Sequence, residues 1–302
     1  MKASSIHNLQ SGQSAIEAKG WLLAHKWLLL RRSSQLGIVG LFLLGPLAGI
    51  WLVKGNLASS LVLDTLPLSD PYLLLQSIMA GHLPEVTALS GALIVMVFYL
   101  VVGGRSYCAW VCPLNMVTDT ARYLRDRWKL KGGAHVSRQA RYWLLAMSLL
   151  LALFTGNMAW ELINPVSMVQ RGLFFGMGAA WLFVGGLFIF DLFISRQGWC
   201  GHLCPVGAFY SLLGAASVVR VSANGRTRCD DCMDCFAVCP EQQVIRPALK
   251  GADKNISPII FSGNCTNCGR CIDVCAQDVF KFSHRYEHSR YLSIDGNKEV
   301  RS

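Results

Sequence analysis

All 12 cysteines of the chain fall into four short runs, and their spacing points to iron-sulfur chemistry. Cys229-x2-Cys232-x2-Cys235-x3-Cys239-Pro240 and Cys265-x2-Cys268-x2-Cys271-x3-Cys275 both have the bacterial ferredoxin spacing. In that pattern the fourth cysteine of each run ligates the other run's cluster. Three thiolates in a tight loop cap three irons of a cube, and the remaining iron is reached only from the other half of a two-fold fold. The expected sets are Cys229, Cys232, Cys235 and Cys275 for one [4Fe-4S] cluster, and Cys265, Cys268, Cys271 and Cys239 for the other. Zinc is the competing reading, because Cys-x2-Cys pairs also build tetrahedral sites, but two complete four-cysteine runs weigh against it. Disulfides do not suit a reducing compartment. Ala276 stands where the motif usually has proline, and about 25 residues separate the runs.

The other four cysteines form Cys108-x3-Cys112-Pro113 and Cys200-x3-Cys204-Pro205. On a helix, positions i and i+4 put both sulfurs on one face, and the proline can begin the next helix. Cys108, Cys112, Cys200 and Cys204 together would supply four thiolates for one more metal or iron-sulfur site; the plainer reading is reduced structural cysteines at helix ends.

These motifs are positioned by apolar segments. With 53% hydrophobic residues the chain belongs to the membrane class. Four uncharged stretches, residues 36–53, 87–104, 142–160 and 172–190, are long enough to cross a hydrocarbon core of about 30 Å and must then be helical. The net charge is +10, with 17 basic against 8 acidic residues up to and including Arg220 and 11 against 10 beyond it. The excess sits among the apolar segments, which reads as membrane topology and not nucleic-acid affinity. Eight Lys or Arg lie in the connection from Arg105 to Arg141, and Lys2, Lys19, Lys26, Arg31 and Arg32 precede the first stretch. The positive-inside rule therefore predicts both termini in the cytoplasm. No secretory signal is visible, and residues 21–32 are expected to lie in the membrane interface. The expected domains are a cytoplasmic N-terminal segment (1–35), a four-helix membrane domain (36–215) and a ferredoxin-like α+β domain (216–302).

The two helix pairs look like copies. Asp70-Pro71 with Gln76 is echoed by Asn164-Pro165 with Gln170 at an offset of 94 residues, and the Cys-x3-Cys-Pro motifs recur at an offset of 92. Parallel repeats about an axis along the membrane normal bring the two copies of a motif toward one another. A small transporter is a further reading of such a repeat, but the spans hold no charged residue for one.

At SYCAWVCPLN, GWCGHLCPVGA, CDDCMDCFAVCP and CTNCGRCIDVC the chain resembles the NapH family, the ferredoxin-type membrane subunits of periplasmic nitrate reductase systems. The resemblance runs from about Gly20 to Phe282. Related membrane proteins linked to nitrous oxide reduction, methylamine dehydrogenase and cytochrome oxidase assembly, the NosR-like proteins among them, share the Cys-x3-Cys-Pro plus ferredoxin arrangement. The resemblance implies a bacterial inner-membrane, multi-pass subunit of a quinol dehydrogenase. It implies a NapG-like iron-sulfur protein as partner, c-type cytochromes downstream, and an electron-transfer component rather than a stand-alone enzyme. The chain has no haem-attachment Cys-x-x-Cys-His and no dinucleotide fingerprint.

Quinol oxidation needs an apolar slot and polar groups that accept two protons. Asp70, Gln76, His82, Glu161, Asn164, Gln170 and Arg171 are the candidates, expected at the periplasmic ends of the helices, with Asp70/Asn164 and Gln76/Gln170 flanking the slot. The plainer reading of each is a helix cap or loop residue. Asp191 is expected only to mark the membrane interface. A ~30 Å apolar layer would then separate the quinol residues from the cytoplasmic clusters. The alternative function is a membrane iron-sulfur reductase acting in metal or cofactor maturation of a periplasmic enzyme.

Overall fold

A computed structural model describes residues 12–287 apart from 131, 135 and 177. The two chain termini expected in the cytoplasm, and Lys2 and Lys131 among the cations behind that expectation, lie outside the described residues. The fold is mostly helical. It divides into two compact units, one of residues up to 31, 99–106 and from 211 on, the other of residues 32–98 and 107–210.

The second unit is built on the apolar stretches. Helices Val86–Val102, Ala140–Thr155 and Gly178–Ile194 occupy three of them. The fourth, Lys26–Ala48, is the one helix among the described residues that is long and apolar enough to cross a membrane by length and composition. The others fall in the range of 10–17 residues. Only 17% of the most apolar window of Lys26–Ala48 is buried, unlike a soluble core helix. Leu93, Phe98, Trp143 and Phe154 on the shorter helices are likewise exposed.

Three boundaries differ from expectation, each for a local reason. The Leu-rich segment expected at the interface has no helix breaker after His25, so Lys26–Ala48 runs straight through its second half. Gly49, at φ 72°, then stops the helix, and residues 53–55 open a three-stranded antiparallel meander instead of finishing a span. Its strands Val53–Gly55, Ser59–Val62 and Leu66–Ser69 pair in the registers Val53↔Val62 and Ser59↔Ser69. Leu63 and Asp64, both left-handed, form one turn, and the Asn56 side chain accepts the Ala58 and Ser59 N–H groups in the other. The last apolar stretch is broken at Gly176, whose φ of 63° and N–H bond to the Gly172 carbonyl close the helix Pro165–Phe175. That glycine is a helix stop.

The repeat is visible element by element. Each copy has a helix begun by an Asx-Pro cap (Pro71–Met79; Pro165–Phe175), a long apolar helix, a short helix at the cysteine motif (Ser106–Trp110; Trp199–Leu203) and a helix after it (Leu114–Arg127; Pro205–Ala215).

The first unit has its core in Val221, Ala223, Val244, Ile245, Ala248, Leu249, Ile260, Val279 and Phe280, with most of the eight ferredoxin cysteines against it. Strands Val219–Ser222 and Lys281–His284 pair antiparallel in the register Val219↔His284. The two cysteine runs repeat each other's backbone: Asp231 and Met233 (φ 61° and 64°) correspond to Asn267 and Gly269 (46° and 71°). Each run then enters a short helix, Asp234–Val238 or Arg270–Asp273. The left-handed residues turn successive cysteines toward a common centre.

Candidate functional site

In the first unit the cysteines line two cavities in crossed sets. Cys229, Cys232, Cys235 and Cys275 line one of about 350 Å³, with Phe236, Leu249, Val279 and Phe280 among its apolar walls. Cys239, Cys265, Cys268 and Cys271 line another of about 360 Å³, walled by Val221, Val244, Ile245 and Ile260. Burial pushes the Cys232 and Cys265 thiols up to about 11 and that of Cys235 up to about 12. Burial, reinforced by Cys268, Cys265, Cys239 and Cys235, raises Cys271 well above the ordinary range. Thiols in such a dry setting stay protonated unless a cationic centre holds them as thiolates. The Val279 N–H points to Cys275 Sγ at 3.4 Å, a donor of the kind that supports a ligating thiolate.

The second unit brings the two Cys-x3-Cys-Pro motifs together. Cys108, Cys112, Cys200 and Cys204 line one cavity of about 420 Å³, with Tyr107, Leu114, Trp160, Asn164, Pro165, Trp199, Val206 and Gly207. Both motifs turn with the same wide hydrogen bond: Cys112 N–H to the Tyr107 carbonyl at 3.0 Å and Cys204 N–H to the Trp199 carbonyl at 2.9 Å. This five-residue spacing is the π-type turn that often marks functional sites. The Gly207 N–H lies 3.4 Å from Cys204 Sγ, and the Thr118 hydroxyl 3.6 Å from Cys200 Sγ. Burial, then the neighbouring Cys108 and Cys204, pushes the Cys112 thiol up; burial, then Cys204 and Cys112, does the same at Cys200. Helices starting at Leu114, Pro165 and Pro205 present their N-terminal residues to this cavity. Their dipoles favour negative charge there. Gln35, fully buried, braces the first motif by donating to the Ala109 and Cys112 carbonyls at 3.0 and 3.1 Å.

In all three places four cysteines line one cavity. Four thiolates on a single zinc would stand only about 4 Å apart. Among the described residues no three His, Cys, Asp or Glu side chains converge closely enough to share one ion. The all-thiol donor set and the apolar walls fit [4Fe-4S] cubes.

Of the polar residues expected at the far ends of the helices, Asn164 lines the four-cysteine cavity and Asp70 and Glu161 are linked to its walls, whereas Gln76, His82, Gln170 and Arg171 do not line it. Asp70 and Asn164 cap helices, accepting the Tyr72 and Val166 N–H groups at 2.9 and 3.1 Å. Asn164 itself lines the four-cysteine cavity. Asp70 accepts the Tyr210 hydroxyl at 3.4 Å, and the Tyr210 ring stacks at 4.8 Å on cavity-lining Tyr107. Burial pushes the Asp70 carboxyl up to about 6, opposed by the Tyr72 N–H and Tyr210 hydroxyl and aided by Glu161. Glu161 accepts the Asn164 amide at 3.1 Å and the Ser167 hydroxyl. The expected separation from the cysteines is not kept at Asn164, because the helix that it caps begins at the wall of the four-cysteine cavity. Gln76 is fully buried and donates to the Tyr72 hydroxyl, itself 2.8 Å from Ser148 Oγ. Gln170 accepts the Leu57 N–H at 3.1 Å. His82 lies in an exposed turn against the Gly156 carbonyl, and Arg171 is on the Pro165–Phe175 helix. Asp191 is no interface marker: it is fully buried and accepts the Trp199 N–H at 3.0 Å. Tyr72, Tyr107, Tyr210, Trp160 and Trp199 were missed; the aromatic directly before Cys108 and before Cys200 was the available signal.

Comparison with known proteins matches these units to one chemistry. A model described as a 4Fe-4S binding domain matches twice, at residues 85–131 and 177–222, one match on each copy of the repeat. A 4Fe-4S dicluster domain matches residues 228–279. The ferredoxin-type protein NapH of Escherichia coli K12 is 48% identical over 277 residues, covering 91% of this chain and 96% of its own. The chain belongs to the NapH/MauN family of ferredoxin-type proteins. The methylamine utilization ferredoxin-type protein MauN of Paracoccus denitrificans is 54% identical, covering 92% of this chain and 97% of its own. MauN of Methylorubrum extorquens is 52% identical, with 89% and 93% covered. No solved structure is a significant match. Members of this family are iron-sulfur electron-transfer proteins, and the chain is one of them.

Proposed function

We propose that this chain is the membrane subunit of a quinol dehydrogenase, carrying electrons from quinol toward a NapG-like iron-sulfur protein and c-type cytochromes that serve periplasmic nitrate reductase. The observation that carries the reading is the meeting of four cysteines, two from each repeat, at one cavity, with the half-buried Asp70 and Glu161 linked to its walls through Tyr210 and Asn164. In this reading the four apolar helices cross the bacterial inner membrane, with both termini cytoplasmic, and the exposed apolar residues of those helices face lipid. Residues 1–35, 36–215 and 216–302 serve as cytoplasmic segment, membrane domain and ferredoxin domain.

When bound, [4Fe-4S] clusters supply one-electron storage. Cys229, Cys232, Cys235 and Cys275 would hold one, and Cys265, Cys268, Cys271 and Cys239 a second. Cys108, Cys112, Cys200 and Cys204 would hold a third. Asp70 and Glu161 take the protons of the quinol hydroxyls, Tyr210 holds the Asp70 carboxyl in place, and Gln76, Asn164 and Gln170 orient the head group. Because Asn164 lines the four-cysteine cavity and Asp70 and Glu161 are linked to its walls, this reading needs no bare ~30 Å crossing between the reacting oxygens and the first thiolates.

The test is anaerobic purification with iron and sulfide analysis, followed by EPR on addition of quinol. About twelve irons and quinol-driven signals are expected. About eight irons would remove the third cluster, and an iron-poor protein would remove the whole reading. A second reading, a reductase in metal or cofactor maturation, is favoured by the same four thiols, which a soft cation such as Cu(I) would also take. Copper uptake at Cys108, Cys112, Cys200 and Cys204 without quinol oxidation would select it.

A further inference from the structure

Two indole N–H groups at the four-cysteine cavity lack acceptors. Trp160 and Trp199 both line it. Their rings are near-parallel, 14° apart with centroids at 6.2 Å, which holds the pair in register. Both Nε1 atoms are buried with no hydrogen-bond partner, and Trp160 as a whole is 6% exposed. Indole nitrogen is a donor only, and a buried donor left unmade is costly, so such a pair normally finds an acceptor. The walls around them are apolar side chains, the four sulfurs, the Tyr107 ring with its hydroxyl, and Asn164, and neither indole bonds to either of the last two. Asn164 already spends its carbonyl oxygen on the Val166 N–H and its amide on Glu161. The Asp191 carboxylate meets the Trp199 backbone N–H, not the indole.

We infer that Trp160 and Trp199 are positioning residues that donate their indole N–H groups to the sulfurs of a [4Fe-4S] cluster held by Cys108, Cys112, Cys200 and Cys204. The inference rests on the third-cluster reading above. Donors to cluster sulfur stabilise the more negative, reduced state and so raise the potential. Trp199 precedes Cys200 as Tyr107 precedes Cys108, so the repeat places an aromatic with a polar hydrogen at both positions, and Trp160 adds a further donor in the second copy.

The signal of the third cluster is identified by its loss in Cys200→Ser, and its midpoint is followed by EPR redox titration in Trp160→Phe and Trp199→Phe. Each substitution is expected to lower the reduced-to-oxidised ratio at fixed potential roughly tenfold, a shift of about 59 mV to more negative values for a one-electron couple. The ferredoxin-cluster potentials stay put. A measurement needing no variant accompanies it: pulsed EPR of the reduced wild-type protein in deuterated buffer should show deuteron couplings from slowly exchanged N–H groups at that cluster. A third cluster with unchanged midpoint in both variants, or with no such coupling, overturns the inference alone. Wild-type protein with about eight irons overturns the third cluster and the inference with it. Variant protein with wild-type iron content and a lowered midpoint supports it.

Discussion

Arg105 and Glu241 form an ion pair at 2.5 Å whose side chains are 3% and 2% exposed. Arg105 also donates to the Asn264 carbonyl at 3.1 Å. Glu241 follows Cys239-Pro240 and Asn264 precedes Cys265, so one guanidinium ties together both chain segments that feed the second ferredoxin cavity. A buried pair is poor evidence of net stability, but stripping one partner strands the other charge. Arg105→Met or Glu241→Met alone is expected to cost about 3–5 kcal/mol, and the double substitution much less. Denaturation of the anaerobic protein in detergent checks this; additive losses would contradict it.

Met233 sits in the left-handed region, φ 64°, and is half-exposed, while its counterpart in the other run is Gly269 at 71°. Met233→Gly should therefore stabilise the ferredoxin unit by about 1 kcal/mol, less the entropy a glycine adds to the unfolded chain. The reverse swap is not available, because a Cβ on Gly269 would stand 2.5 Å from the Trp27 ring. Slower cluster loss under air for Met233→Gly, and rapid loss for Gly269→Met, are the outcomes to look for.

Asp70 carries the pH dependence. With its carboxyl raised to about 6, the group is protonated below that pH and cannot accept a proton, and above it the carboxylate can. Quinol-driven cluster reduction should rise through about pH 6 and level off, and Asp70→Asn should abolish that rise while dithionite still reduces the clusters. A wild-type profile that Asp70→Asn leaves intact would remove Asp70 from the reaction.

The Asp273 carboxylate receives the Trp27 and Leu28 N–H groups, both at 3.0 Å, at the start of the Lys26–Ala48 helix, and Arg270 at 3.1 Å. It serves as a cap supplied from a distant part of the sequence. Asp273→Ala should cost about 1–2 kcal/mol and raise hydrogen exchange at those two amides. Unchanged exchange would show that water substitutes for the carboxylate.

The parts of this molecule legible in the sequence are those governed by short-range spacing. Cysteines at fixed intervals gave the crossed sets that line the two ferredoxin cavities, and the 92-residue echo of the Cys-x3-Cys-Pro motif anticipated their meeting at one cavity. Elements set by long-range packing were not legible. The meander at 53–69 has strands of 3–4 residues, too short for a period-two signal. Asp70-Pro71 and Asn164-Pro165 were visible as caps, but nothing local tells that the capped helices begin at the cysteines. Asp191 reads as an interfacial charge until the Trp199 N–H that it accepts is seen.

Because Cys275 lines the cavity of the first run and Cys239 that of the second, neither cavity has its four sulfurs until the second run has been synthesised. A ribosome that stalls between codons 271 and 275 releases a product with three thiols at the first centre and all four at the second. Loss of Cys275 alone thus leaves three thiols at a centre whose other ligands were made some forty codons earlier.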